Sequence, residues 1–275
     1  MSLTAVAMVS ASLWQPTLNS DTMLWGLERS GSRLTSFSAG IEWDRFKSFE
    51  DERERRVGRF ALEGQGQSRR LGCAFTEFYS GDGAKRESVD LWVYADGWLG
   101  EADMRFKSFT KRRVVAPGES WDPLKLGEGP FPLPFGQPEH EVRARFTVEP
   151  VTLPESPRIR LALKTDTVVG LRLTPKPNTP LAKDITTVDV FYSATGPVDG
   201  LIPRVVVLRR PNGDESSFLL KDPRMNVPLT KDEQALLTMP NPDPKEWSID
   251  IRDWESAGGT PAGPDRLTAP QASDG

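Results

Sequence analysis

The 275-residue sequence predicts a mainly β fold: one amino-terminal helix followed by a large antiparallel sheet, which with so many strands must curl or close around a concave face. Three observations carry this. Apolar residues recur with a period of two along most of the chain, turn signals separate the runs, and a helical period is confined to one stretch near the amino terminus.

The elements follow in order. Residues 1–19 read as a signal remnant or a flexible amino terminus: Met1 to Ser12 is apolar and ends in the small residues Ser10-Ala-Ser12, as an export signal does, but lacks a basic start. Leu24, Leu27, Gly31 and Leu34 then keep helical spacing, with Ser20 and Asp21 placed to cap and complement a first turn, which predicts a helix near Ser20 to Ser30. From Ser36 the period changes to two. Phe37, Ala39, Ile41 and Trp43 alternate with polar or small residues, the pattern of a strand with one buried face. The same alternation returns in Leu71, Cys73, Phe75; Val89, Leu91, Val93; Ile159, Leu161, Leu163; Val169, Leu171, Leu173; Val188, Val190, Tyr192; and Trp247, Ile249, Ile251. Gly81-Asp-Gly83, Asp96-Gly97 and Asn212-Gly213 mark hairpin turns between such runs, so sequence neighbours are antiparallel neighbours. Residues 20–254 form one domain, and residues 255–275, rich in Gly, Pro, Ala and Ser, read as a disordered tail.

One segment breaks the pattern. Gly127-Glu-Gly-Pro-Phe-Pro-Leu-Pro-Phe-Gly136 is apolar and stiffened by prolines that cannot donate to a sheet, so Phe131, Leu133 and Phe135 sit on a connection. Three large apolar side chains on a loop either plug the end of the core or line a site for an apolar ligand.

Composition narrows the chemistry. With Lys+Arg 35 against Asp+Glu 39, the net charge of −4 gives no footprint for nucleic acid, and Arg53-Glu-Arg-Arg56 and Lys111-Arg-Arg113 read as solvated strand or turn segments. His140 and Cys73 are single residues of their kinds, so neither a Cys/His zinc site nor a catalytic triad can be assembled without His140, which reads as a surface residue at a helix start. Cys73 shares a face with Leu71 and Phe75 and reads as a small core hydrophobe. Metal, cofactor and phosphate-loop signatures are absent from the sequence, and no cofactor is expected.

The segments Leu34-Thr-Ser-Phe-Ser-Ala-Gly-Ile41, Gly58-Arg-Phe-Ala-Leu62, Val93-Tyr-Ala-Asp-Gly-Trp-Leu99, Leu171-Arg-Leu-Thr-Pro-Lys176 and Ser216-Ser-Phe-Leu-Leu-Lys221 resemble, in order and spacing, those of the LolA/LolB family of periplasmic lipoprotein carriers. The resemblance runs from Ser20 to about Trp254. It implies an incomplete β-barrel whose concave face is covered by helix and loop lid elements and holds the acyl chains of lipoproteins or other lipids, with no chemistry performed. A periplasmic or otherwise exported location and a membrane-bound donor or acceptor are implied with it. Sequestering an acyl chain needs only apolar area, about 0.8 kcal/mol per buried CH₂, which suits a chain with one histidine and one cysteine. The pattern departs from the family at Glu63-Gly-Gln65, where a basic residue that latches the lid is expected.

The residues expected to line the cavity are Leu24 and Trp25 from the helix, Phe37, Ile41 and Trp43 from the first strand, Leu91 and Val93, the insert residues Phe131, Leu133 and Phe135, and Leu171 with Leu173. Each also fits ordinary core packing. Two other readings stay open: a lipid- or peptide-sensing module on the same fold, as in the sigma-E regulator RseB, and a structural β domain whose concave face is filled by its own aromatics, of which there are 8 Trp and 13 Phe.

Overall fold

The computed structural model describes residues 19–253 apart from 82, 84, 117–123, 125–135, 164–166 and 195–199. Helix α1 (Ser20–Ser32) begins one residue after its cap, Asn19, whose side-chain oxygen accepts from Thr22 N at 2.8 Å; Asp21 in the first turn and Arg29 in the last suit the helix dipole. Met23, Leu24, Leu27 and Gly31 form its buried stripe, and Leu34 is buried just beyond its end.

Twelve strands form one sheet: β1 (Ser36–Lys47), β2 (Glu52–Glu63), β3 (Arg70–Tyr79), β4 (Lys85–Ala95), β5 (Trp98–Asp103), β6 (Ser108–Arg113), β7 (Phe146–Pro150), β8 (Val168–Pro175), β9 (Thr187–Ser193), β10 (Ile202–Arg209), β11 (Glu215–Met225) and β12 (Ser248–Arg252). Their order is β12-β6-β5-β4-β3-β2-β1-β11-β10-β9-β8-β7, so the sheet curves without closing into a barrel. All neighbouring pairs are antiparallel except β12 with β6. Asp96 and Gly97 both take positive φ, 52° and 78°, in the two-residue turn joining β4 to β5, and Gly213, φ 88°, turns β10 into β11. Both are turns the sequence marks.

The face on which α1 packs, here the inner face, carries one continuous core. It takes Phe37, Ile41 and Trp43 from β1, Phe60 and Leu62 from β2, Cys73 and Phe75 from β3, Trp92 and Tyr94 from β4, and Val190, Val206 and Leu220 from β9 to β11. Three shorter helices complete the cover of the sheet among the described residues. Helix α2 (Glu139–Arg145) runs directly into β7 and buries Val142 in the same core as α1.

Helix α3 (Pro157–Ala162) replaces the strand expected from Ile159, Leu161 and Leu163. Ser156 caps it and Pro157 opens it, and because Ile159 and Leu163 are also four apart, one helical face buries both on the outer face of the sheet while Leu161 stays 70% exposed. The other half of the outer face is crossed by a strap containing α4 (Lys231–Ala235), whose flanking Leu229 and Leu237 pack on Ala61. Gly72 and Gly100 lie under this strap. A Cβ at either would overlap Leu236 or Met239, the close backbone approach for which a glycine inside a strand is suited. Between α3 and the strap, Glu42 is bound by Arg158 and Lys221, and these ion pairs outweigh the opposing effect of burial to hold its carboxyl below the usual range.

Among the described residues, no helix is long and apolar enough to cross a membrane.

Candidate functional site

The inner face is not uniform. Toward the strands β1 to β4 it is filled by its own aromatic rings. Trp43 stacks on Phe218 with centroids 5.7 Å apart, and meets Phe75 at 5.9 Å and Trp92 at 5.7 Å. Arg56 lies over the Trp43 ring at 5.6 Å and over Phe78 at 5.4 Å, and pairs with Asp90 on the same face. The sequence pattern places Arg56 in a solvated charge run; instead only 13% of its side chain is exposed. Cys73 is enclosed nearby, and burial pushes its thiol well above the ordinary range, so it is inert packing.

Toward β8 and β9 the face is different. There α1 and α2 leave a cleft lined by Leu24, Leu27, Gln137, Val142, Leu171, Leu173 and Tyr192. Leu24 and Leu27 share the buried stripe of α1, and Leu171 and Leu173 share one face of β8, opposite Val190 and Val188 of β9. The space between atoms is about 320 Å³, part of it open to solvent at the mouth, but the room it leaves to the centre of a water-sized body is only about 20 Å³. That suffices for a water or so and not for an alkyl chain unless the cover moves.

The cover is held together by polar links. Asp21 of α1 pairs with Arg143 of α2, and Glu28 of α1 accepts from Glu139 N at the start of α2 at 2.9 Å. Gly136, φ 65°, passes so close to α1 that a Cβ would sit 2.6 Å from Gly31 Cα. The carboxyl end of α1 is tied to the rest of the fold, where Ser30 Oγ donates to Leu201 O at 3.4 Å and Thr35 N to Asn226 Oδ1 at 2.8 Å.

Of the residues expected to line a cavity, the structure brings Leu24, Leu171 and Leu173 together at this cleft. Phe37, Ile41 and Trp43 are buried on the same face, in the core that includes the aromatic half. Three residues stand elsewhere than the sequence reading puts them. Trp25 is on the solvent side of α1, 49% exposed, with the Arg29 guanidinium 5.3 Å from its ring. Leu91 and Val93 are on the outer face, because β4 turns Trp92 and Tyr94 inward; Val93 lies opposite Gly72 and Gly100, under the strap. Phe131, Leu133 and Phe135 lie outside the described residues. Leu27, Gln137, Val142 and Tyr192 line the cleft without being among the expected residues. Signals are present for two of them: Leu27 is three residues after Leu24, and Tyr192 alternates with Val190 and Val188.

His140 is exposed in the first turn of α2. Among the described residues no group of three or more His, Cys, Asp or Glu is placed to hold a metal ion.

No protein-family model and no curated protein matches the chain. Solved structures do. An uncharacterized conserved protein from Thermus thermophilus is similar over 84% of this chain and 98% of that one, at 13% identity and a TM-score of 0.44. In the complex of MucA and MucB from Pseudomonas aeruginosa, the similar chain shares 14% identity over 78% of this chain and 60% of its own length, with a TM-score of 0.39. A LolA superfamily protein from Nitrosomonas europaea is similar over 78% of this chain and 99% of that one, at 9% identity and a TM-score of 0.31. Each of these is a likeness of fold alone.

Proposed function

We propose that the protein is a non-enzymatic carrier that holds an acyl chain of a lipoprotein or other lipid between the α1–α2 cover and strands β8 and β9, and passes it between membrane-bound partners of the bacterial envelope. The observation that carries this reading is the apolar cleft itself: five aliphatic side chains converge on it from a two-helix cover and the sheet beneath. Binding an alkyl chain there requires apolar area and a cover that moves, and no acid, base or metal. The aromatic half of the inner face supports the reading from the other side, because Trp43, Phe75, Trp92 and Phe218 keep that half filled whether or not cargo is present. Export to the periplasm and independence from nucleic acid belong to the same proposal.

The experiment that tests it is native mass spectrometry of the protein purified from its own host, with lipid extraction of the same sample. A carrier retains acyl-bearing lipid at a stoichiometry near one. A protein that arrives free of lipid and binds no fluorescent fatty acid in titration is a self-filled β domain instead.

A further inference from the structure

The cleft is apolar except for two side chains, and only one of these has a polar atom with no partner at all among the described residues. Gln137 is 9% exposed and engaged at both ends: its Oε1 accepts from Arg145 Nη2 at 2.7 Å and its Nε2 donates to Leu124 O at 3.3 Å. Tyr192 is 1% exposed, and its hydroxyl has no hydrogen-bond partner among the described residues. A phenol this deeply buried ordinarily finds one. The space that Tyr192 lines is the cleft. Burial raises its phenol pKa, so the oxygen carries its proton and acts as a donor across the physiological range.

We infer that the Tyr192 hydroxyl donates a hydrogen bond to the carbonyl oxygen of an acyl group lying in the cleft, and so selects acyl chains over plain alkyl chains. The inference rests on the carrier reading and adds to it the residue that recognises the head of the chain, an ester, amide or carboxyl group. Leu24, Leu27, Val142, Leu171 and Leu173 supply surface to the chain but cannot distinguish a carbonyl from a methylene, whereas an unpaired hydroxyl donor does.

The test uses Tyr192→Phe, which keeps the ring and removes the oxygen, and three probes with the same fluorophore and chain length: a fatty acid, its methyl ester and the corresponding alkane. The variant should bind the acid and the ester about 3- to 10-fold more weakly than the parent does, the effect of one neutral hydrogen bond, and the alkane equally well. Loss confined to the acid assigns the hydroxyl to free carboxyl groups; loss on both assigns it to acyl carbonyls in general. An equal loss on all three probes, or none, overturns the inference while leaving the carrier reading in place. A parent that binds none of the three overturns both. Melting curves of parent and variant are compared first, and a Phe variant with parental melting excludes misfolding as the cause of any loss.

Discussion

Locking α1 to the sheet should abolish cargo binding. Ser30 on α1 and Leu201 just before β10 are buried neighbours, with Ser30 Oγ 3.4 Å from Leu201 O, so Ser30→Cys combined with Leu201→Cys is the pair to oxidise, with disulfide formation checked by mass. Cys73, sealed in the core with its thiol held protonated, does not compete. The size of the effect follows from the cleft. Its room of about 20 Å³ excludes an alkyl chain, so the cover must lift before cargo enters. Lifting α1 exposes Met23, Leu24 and Leu27 at about 1.5–3 kcal/mol each, or roughly 5–9 kcal/mol together. A chain of about twelve methylenes contributes about 10 kcal/mol on burial. The two quantities are of similar size, which leaves binding favourable by a few kcal/mol and readily reversed. A disulfide removes the lifted state. In titrations with a fluorescent fatty acid, the oxidised double variant should bind at least about tenfold more weakly than the same protein after reduction. Oxidised protein with its disulfide verified by mass, native melting behaviour and affinity within about twofold of the reduced form would refute the moving cover.

Three further outcomes are expected. Gly58→Ala should cost about 3 kcal/mol or prevent folding, since a Cβ there overlaps the Ala74 carbonyl at the register shift between β2 and β3; a melting temperature close to the parent's would contradict the packing. Burial opposes ionisation of Asp189, but its bonds to Arg172 and Arg209 prevail and hold its carboxyl below its ordinary 3.8, so its contribution is complete above about pH 4 and is lost as pH falls through the lowered value; Asp189→Asn should reduce stability at pH 7 by roughly 1–3 kcal/mol and flatten the acid limb of the melting profile. His140→Ala should leave both stability and fatty-acid binding unchanged, and Cys73→Ser should lose about 1–3 kcal/mol of stability by burying a hydroxyl, with binding retained; loss of binding in folded His140→Ala protein would count against a non-enzymatic carrier.

The parts of the fold legible in the sequence are those where one face of a strand is apolar and the other polar, whatever covers the polar side. Phe37, Ala39, Ile41 and Trp43 alternate with residues that include Glu42 and Asp44, and β1 lies where that alternation puts it. Legibility fails where both faces are apolar. In β4 the run Leu91-Trp-Val-Tyr94 is apolar at every position, because the strap buries Val93 outside while the core takes Trp92 and Tyr94 inside, and parity alone does not choose between the two sets. Gly72 and Gly100 carry the missing information: unexplained glycines in strand interiors signal a backbone crossing at close range. At Ile159 and Leu163 the ambiguity is one of period, since residues four apart fit a strand and a helix alike, and only Ser156-Pro157 ahead of them favours the helix. The cleft is half legible for the same reason. Leu24, Leu27, Leu171, Leu173 and Tyr192 follow from periodicity, whereas Val142 and Gln137 carry no such signal, and which polar atoms are already engaged is a property of the assembled fold.

Covering the outer face has a consequence for how a cleft on the inner face can work. Were the sheet free to flex, cargo could enter by flattening it, and the aromatic contacts around Trp43 would have to break each time. The described fold opposes that route. Helix α3 packs across β9, β10 and β11, with Arg158 reaching Glu42 and Asp44 on β1, and the strap crosses β2 to β5, with Glu233 bound to Arg224 of β11. Both bridge several strands and stiffen the curvature. The α1–α2 cover, by contrast, is joined to itself by Asp21–Arg143 and by Glu28 with Glu139 N, and α1 meets its neighbours through side-chain bonds near residues 30 to 35. Motion is thereby directed to the cover, which lifts by breaking those few bonds while the sheet holds its shape, and the half of the inner face filled with aromatic rings keeps the fold intact during each exchange.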